Sequence, residues 1–346
     1  MVFARTHAAL IENIRRNILL TLLTLCALAP AAWATTLHVE NWGVDSGTCG
    51  TAAAPCRTIG EAVTLAAAGN TILVGPGLYS NALGEPAGGI VLSNPITVKS
   101  THGFAATGIV YAGAFPSGGI VSSTTTAVFG TRNHGFGIIA RPSSVPSGNP
   151  SVVRFAGGGK VSGNVIDVIN SPTSVDGIQA AGGAIVRDNR VSGTPGSVNF
   201  GIASDGITER NVVTGTLNSA FAPSNGPVRR NVAIGNGSGF EFGGPTVTEF
   251  KKNIAISNSD AGVLFDNGIA PSMIFEKNTF AGNGGNCGVT VYGSNQTLSA
   301  AKNFWGAATG PGADPADTVC NNGPFNTITT TPFLTHPVAP GPGALQ

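Results

Sequence analysis

Seven asparagines in a repeated frame constrain this chain more than any other feature. Asn164, Asn189, Asn211, Asn231, Asn253, Asn278 and Asn303 fall 25, 22, 20, 22, 25 and 25 residues apart. Each follows a short segment, often β-branched, such as Ile185-Val-Arg or Ile207-Thr-Glu. Most precede an apolar pair such as Val212-Val213 or Ile254-Ala255. A third segment completes the period, as in Gly177-Ile-Gln-Ala, Gly201-Ile-Ala-Ser and Gly239-Phe-Glu-Phe. Three short strands per period, with no helix, predict a solenoid in which each coil stacks on the one before. At ~3.3 Å per strand residue one period closes one triangular coil, and coils ~4.8 Å apart pair as parallel strands. The predicted class is all-β, a parallel β-helix of three strands per coil.

Equivalent positions in such a stack form columns. Strand alternation places Ile178, Ile202, Phe221, Phe240, Val263 and Val289 inward, and Gln179, Ala203, Ala222, Glu241, Leu264 and Thr290 outward. Asparagine suits a corner because it tolerates left-handed backbone, and its amide can donate to one neighbour while accepting from the next. The seven asparagines are therefore read as a structural ladder inside the wall.

The composition agrees with this. Fifty glycines and only 10% charged residues fit short strands and tight turns, and 42% apolar residues can fill a core. The first 34 residues read as a secretory leader: Arg15-Arg16, an apolar run from Ile18 to Leu28, then Ala32-Trp33-Ala34 as the cleavage site. Cys26 within that run raises a lipid anchor as the alternative, against which Leu25 stands where a small residue is needed. No later run is apolar enough to span a membrane. Without the leader, 15 basic residues face 16 acidic ones, so bulk charge does not suggest nucleic-acid binding. The expected location is secreted or periplasmic.

Four cysteines follow the leader, Cys49, Cys56, Cys287 and Cys320. An even count in an exported chain points to disulfides, with three pairings open. Pairing Cys49 with Cys56 and Cys287 with Cys320 would staple one end of the solenoid each. With no CxxC pair, metal binding is the weaker reading, and no metal is expected; calcium is conceivable but has no residue set behind it.

In chain order, residues 35–80 read as an N-terminal strand, a disulfide loop, a capping helix and a first strand. Thr58 and Glu61 have capping-box spacing; Ile59, Ala62, Val63 and Ala66 share a helical face, and Gly69 stops the helix. Residues 81–325 are the solenoid. Residues 142–150 read as a projecting Ser/Pro/Gly loop, and 326–346 as a Pro-rich tail without order past Phe333.

Here the chain resembles a known family. The run Pro55-Cys-Arg-Thr-Ile59, then Gly69-Asn-Thr-Ile-Leu-Val-Gly-Pro-Gly-Leu-Tyr79, is similar to the cap and first coil of secreted right-handed parallel β-helix proteins of the pectin-lyase-like superfamily. Asn303-Phe-Trp-Gly and Asp314-Pro-Ala-Asp317 resemble their closing coil. The resemblance, over roughly residues 36–325, implies a right-handed β-helix. It implies little about activity, because the superfamily includes lyases, hydrolases, epimerases and adhesins.

No set of catalytic residues of those enzymes is legible. A calcium-dependent lyase needs clustered carboxylates and a basic residue, and the outward column offers only Glu241. A hydrolase needs paired carboxylates on neighbouring coils; Asp205 and Asp266 lie three coils apart and read as turn caps, as do Asp176 and Asp260. His134 is the one histidine beside other polar groups. Asp167 and Asp188 are expected to face solvent on nearby coils.

One charge pattern remains. The position before the ladder asparagine holds Arg210, Arg230, Lys252, Lys277 and Lys302 in successive periods. Stacked ~4.8 Å apart they form a basic stripe suited to an anionic polysaccharide or cell-surface glycan. Interspersed Glu209, Glu249 and Glu276 supply the alternative, a solvated corner of paired charges. Three roles follow: glycan or surface binding without catalysis, a polysaccharide lyase or related carbohydrate-active enzyme, and a structural or adhesive surface protein.

Overall fold

The computed structural model describes residues 34–148 and 150–339. Residues 1–33 of the expected leader and 340–346 of the expected tail lie outside them. From Thr36 onward the chain winds as a right-handed parallel β-helix. Sheet A has ten strands from Thr36–Val39 to Ile274–Glu276, sheet B nine from Gly77–Ser80 to Thr279–Ala281, and sheet C ten from Ile90–Leu92 to Thr318–Asn321. The chain visits A, B and C in turn, once per coil.

The columns have a direct physical cause. Ile178 pairs in register with Ile202, Ile202 with Phe221, Phe221 with Phe240, Phe240 with Val263 and Val263 with Val289. All six are water-free. On sheet A the inward column ends in Phe250 and Phe275, whose rings stack 5.0 Å apart. Thr290, expected outward, is 5% exposed, since Cys320 of the last strand lies in register over it.

The helix α1, Ile59–Leu65, closes the first coil against strands Thr36–Val39, Thr71–Val74 and Ile90–Leu92. Its buried face includes Ile59, Ala62 and Val63, while Ala66 is already its C-cap. Thr58 Oγ1 accepts from Glu61 N at 3.1 Å. The reciprocal half of the capping box falls to Asp45, whose Oδ1 accepts from Thr58 N at 3.0 Å, and Glu85 takes the next two donors, Ile59 N at 2.6 Å and Gly60 N at 3.0 Å. The disulfides join Cys49 to Cys56 and Cys287 to Cys320, one at each end.

Two expectations need correction. Residues 142–144 are strand, not loop: Gly137–Ser144 pairs with Thr107–Ala114 beyond the body of sheet B. Pro142 is tolerated there because the neighbouring strand Val165–Val168 pairs with it only as far as Ala140, so no ladder bond needs its missing N–H. Nor is the described part of the tail free. Strand Thr327–Thr329 pairs with Thr297–Ser299, Leu334 N donates to Asn303 O, and Val338 N donates to Thr279 Oγ1. Open backbone groups of the last coil draw this segment in.

Candidate functional site

The corner between sheets A and B carries the ladder. The Nδ2 of each of the first six asparagines donates to the next Oδ1, at 3.1 Å from Asn164 to Asn189 and 2.9 Å from Asn278 to Asn303. The same oxygen accepts the previous backbone N–H, for example Asn211 N to Asn231 Oδ1 at 3.0 Å. The second Nδ2 hydrogen satisfies a strand carbonyl, as from Asn253 to Val228 O at 2.9 Å. All seven side chains are buried.

The backbone differs from expectation. The asparagine does not hold the left-handed conformation; the residue before it does. Asp188, Arg210, Arg230, Lys252, Lys277 and Lys302 have φ between 56° and 60°, and Gly163 heads the column at 73°. The turn needs one left-handed residue, and extended backbone at the next position aims the amide into the wall. The stripe cations therefore sit at the apex of the corner, pointing away from the core.

A second ladder, absent from the sequence reading, occupies the corner between sheets B and C. Thr216 N donates to Asn236 Oδ1, Asn236 Nδ2 to Asn258 Oδ1 at 3.0 Å, and Asn258 Nδ2 to Asn283 Oδ1 at 2.8 Å. Asn283 ends it on Asp317, with bonds from Nδ2 at 2.6 Å and from its backbone N–H at 3.2 Å. Burial raises the Asp317 carboxyl above its ordinary range. The signal was present: Asn236, Asn258 and Asn283 each stand five residues after a first-ladder asparagine.

Electrostatics at the first corner are mixed. Arg210 forks onto Asp188 at 2.7 and 3.0 Å and also meets Glu209 at 3.0 Å. Arg230 meets Glu209 at 3.2 Å, Arg229 meets Glu249 at 2.5 Å, Lys251 meets Glu276 at 2.7 Å, and Lys302 lies 3.5 Å from Glu276. The Arg229 hydrogen bond holds Glu249 below the usual carboxylate range, and Lys251 does the same to Glu276. Lys252 and Lys277 enter no ion pair among the described residues. Of the five stripe residues, then, three are paired and two are free.

At the N-terminal end of the stripe lies a cleft of about 120 Å³. Phe104, Arg132 and Asn133 close one end, Val165, Arg190 and Val212 line its floor, and Asp188 and Arg210 flank it. Phe104 is 46% exposed; Arg132 and Arg190 are exposed and, among the described residues, unpaired. His134 binds the Ser100 carbonyl through Nδ1 at 3.1 Å and, among the described residues, meets no carboxylate.

The remaining acids separate by role. Asp205 caps a turn through Gly182 N and Gly183 N, at 2.9 and 2.8 Å. Asp176 accepts from Phe200 N and Asn199 Nδ2, and Asp260 accepts from Ser238 Oγ. Asp167 and Asp188 both stay partly exposed on the outer wall, Asp167 bonded to Ser192 Oγ and Asp188 tied to Arg210. Asp266 caps no turn among the described residues; its charge lies near Glu241, which sits on the outer face of sheet C. Burial first, then Asp266, raises the Glu241 carboxyl. Ser219 Oγ also donates to Glu241, at 2.5 Å. Among the described residues no three His, Cys, Asp or Glu side chains form a metal-holding group, and no helix is long and apolar enough to cross a membrane.

No protein-family model and no curated protein matches the sequence. Among solved structures, the catalytic domain of a GH87 α-1,3-glucanase in complex with nigerose aligns over 82% of this chain and 66% of its own length, with 11% identity and a TM-score of 0.29. The A-module of the Azotobacter vinelandii mannuronan C-5 epimerase AlgE4 aligns over 79% of this chain and 90% of its own, with 14% identity and a TM-score of 0.28. This chain thus spans about two thirds of the glucanase domain.

Proposed function

We propose that this chain is an exported β-helix that binds an anionic glycan along the corner beside the asparagine ladder. One observation carries the reading. On that corner and the adjoining outer face of sheet A, from residue 160 to residue 302, nine cations (Lys160, Arg187, Arg210, Arg229, Arg230, Lys251, Lys252, Lys277 and Lys302) face four carboxylates, Asp188, Glu209, Glu249 and Glu276. The excess is concentrated there, although the residues after the expected leader are close to neutral as a whole, 15 basic against 16 acidic. Backbone conformation supports it. Five of these cations occupy left-handed positions, a conformation that costs a non-glycine residue roughly 1–2 kcal/mol. Strain kept at a series of charged positions points to a task for the charges. The disulfides suit an oxidising compartment.

The test is binding of the purified protein to immobilised polyuronates, sulfated glycans and neutral glucans. Binding to the anionic members should weaken with salt and fall at least tenfold in Lys252→Glu/Lys277→Glu. Equal binding by this variant, or equal binding to neutral glucans, would refute the proposal.

A second reading, cleavage of a polysaccharide, is favoured by the Glu241–Asp266 pair. A carboxyl pushed toward its neutral form by burial and then by the charge of a neighbouring carboxylate suits the acid that glycoside hydrolysis requires. Release of reducing ends or of products absorbing at 235 nm, abolished in Glu241→Gln, would establish it. An inactive wild-type protein on the whole panel removes it.

A further inference from the structure

We infer that the cleft at Phe104 seats the end of an anionic glycan chain, with the following sugar residues lying along the cation column. This rests on the glycan-binding reading above and adds to it a site and a direction. The cleft floor is one outer column of sheet B, in which Val165, Arg190 and Val212 pair in register. Beyond Val212 the column continues through the buried Val232 and Ile254, so the way toward the C-terminal coils runs beside it, over the corner cations that begin with the half-exposed Arg230 and end with the exposed Lys302.

In the other direction it is shut. The column passes from Val165 to Gly137 and Gly108, neither of which has a left-handed φ. Glycine is needed at 137 for space: a Cβ there would lie 2.9 Å from Phe104 O. The turn 101–106 therefore lies directly on the outer surface of that strand. A Cβ on Gly103 would come 2.8 Å from Asn133 O, so this turn stacks in the same way on the turn 131–134. Two stacked turns thus wall off the groove one coil beyond Val165, and no extended polymer can pass through.

The groups at the blocked end fit a single sugar residue bearing an anion. Phe104 presents a half-exposed ring against which the apolar face of a pyranose can stack. Arg132 at the wall and Arg190 in the floor belong to coils two apart, about 10 Å along the axis. Both guanidinium groups are free to fork onto a planar or tetrahedral oxyanion between them. The ligand class is a chain whose terminal pyranose carries a carboxylate or a sulfate ester.

The experiment titrates the mature protein with size-fractionated polyuronates and, in a parallel arm, size-fractionated sulfated glycans, by calorimetry. End recognition requires one protein bound per chain at every chain length. It also requires Arg132→Gln and Phe104→Ala, each confirmed as folded by circular dichroism, to lower affinity for the arm that binds at least tenfold. Stoichiometry that rises in proportion to chain length overturns the inference, as does undiminished binding by both variants. Either result leaves the broader reading standing where Lys252→Glu/Lys277→Glu still loses affinity. Failure of the wild-type protein to bind either arm removes the broader reading, and this inference with it.

Discussion

Asn253 shows what one side chain does in this fold. Its Oδ1 accepts from Asn231 N and Nδ2, and its own Nδ2 reaches Val228 O and Asn278 Oδ1. Asn253→Ala strands several buried polar groups at once, each costing ~1–3 kcal/mol, so a loss of roughly 3 kcal/mol or more is expected in chemical denaturation. A loss under ~1 kcal/mol would show that the ladder bonds are individually dispensable. The residue before it tests a different quantity. Lys252→Gly removes left-handed strain of roughly 1–2 kcal/mol at a backbone-entropy cost of ~0.5–1 kcal/mol. Stability should stay level or rise by up to ~1.5 kcal/mol, while Lys252→Val destabilises. Gly and Val variants of equal stability would contradict the left-handed assignment at that position.

At the scale of elements, the N-terminal cap depends on a carboxyl brought to it by the chain 26 residues later. Glu85 binds the first turn of α1 and is buried, and burial raises its pKa to about 7. Between its ordinary value and about 7 the unfolded chain has released this proton while the folded cap retains it. Stability from this group is therefore greatest at low pH and lost as pH rises through that window. Hydrogen exchange in α1 should accelerate from pH 5 to pH 7.5 in the wild type and show a flatter pH dependence in Glu85→Gln, after correction for intrinsic rates. A slope unchanged by the substitution assigns the effect elsewhere. The spacing of Thr58 and Glu61 announced the helix start in the sequence. The contribution of Glu85 did not show, because it arises from contact between segments remote in the chain.

Over the whole molecule, stability is close to a sum of coils and of the interfaces between neighbours. Asp317 terminates the second ladder and gives Asn283 its two acceptors. Asp317→Ala should cost roughly 3 kcal/mol and raise hydrogen exchange most in strands Cys287–Val291 and Thr279–Ala281, fading toward the N-terminal cap. Uniform acceleration along the solenoid would mean that the coils unfold as one unit. Periodicity alone determined the coil, its inward columns and the position of the first ladder, because a repeat of about 23 residues of short strands can bury its apolar face only by stacking on itself. It did not determine which residue of each corner turns left-handed, which cations find carboxylates, or that the charge of Asp266 comes near Glu241. Nor did it reveal the turns of Phe104 and Asn133 that block a groove. Those features depend on side chains from different coils meeting within a few ångströms, and the distance between them along the chain carries no record of it.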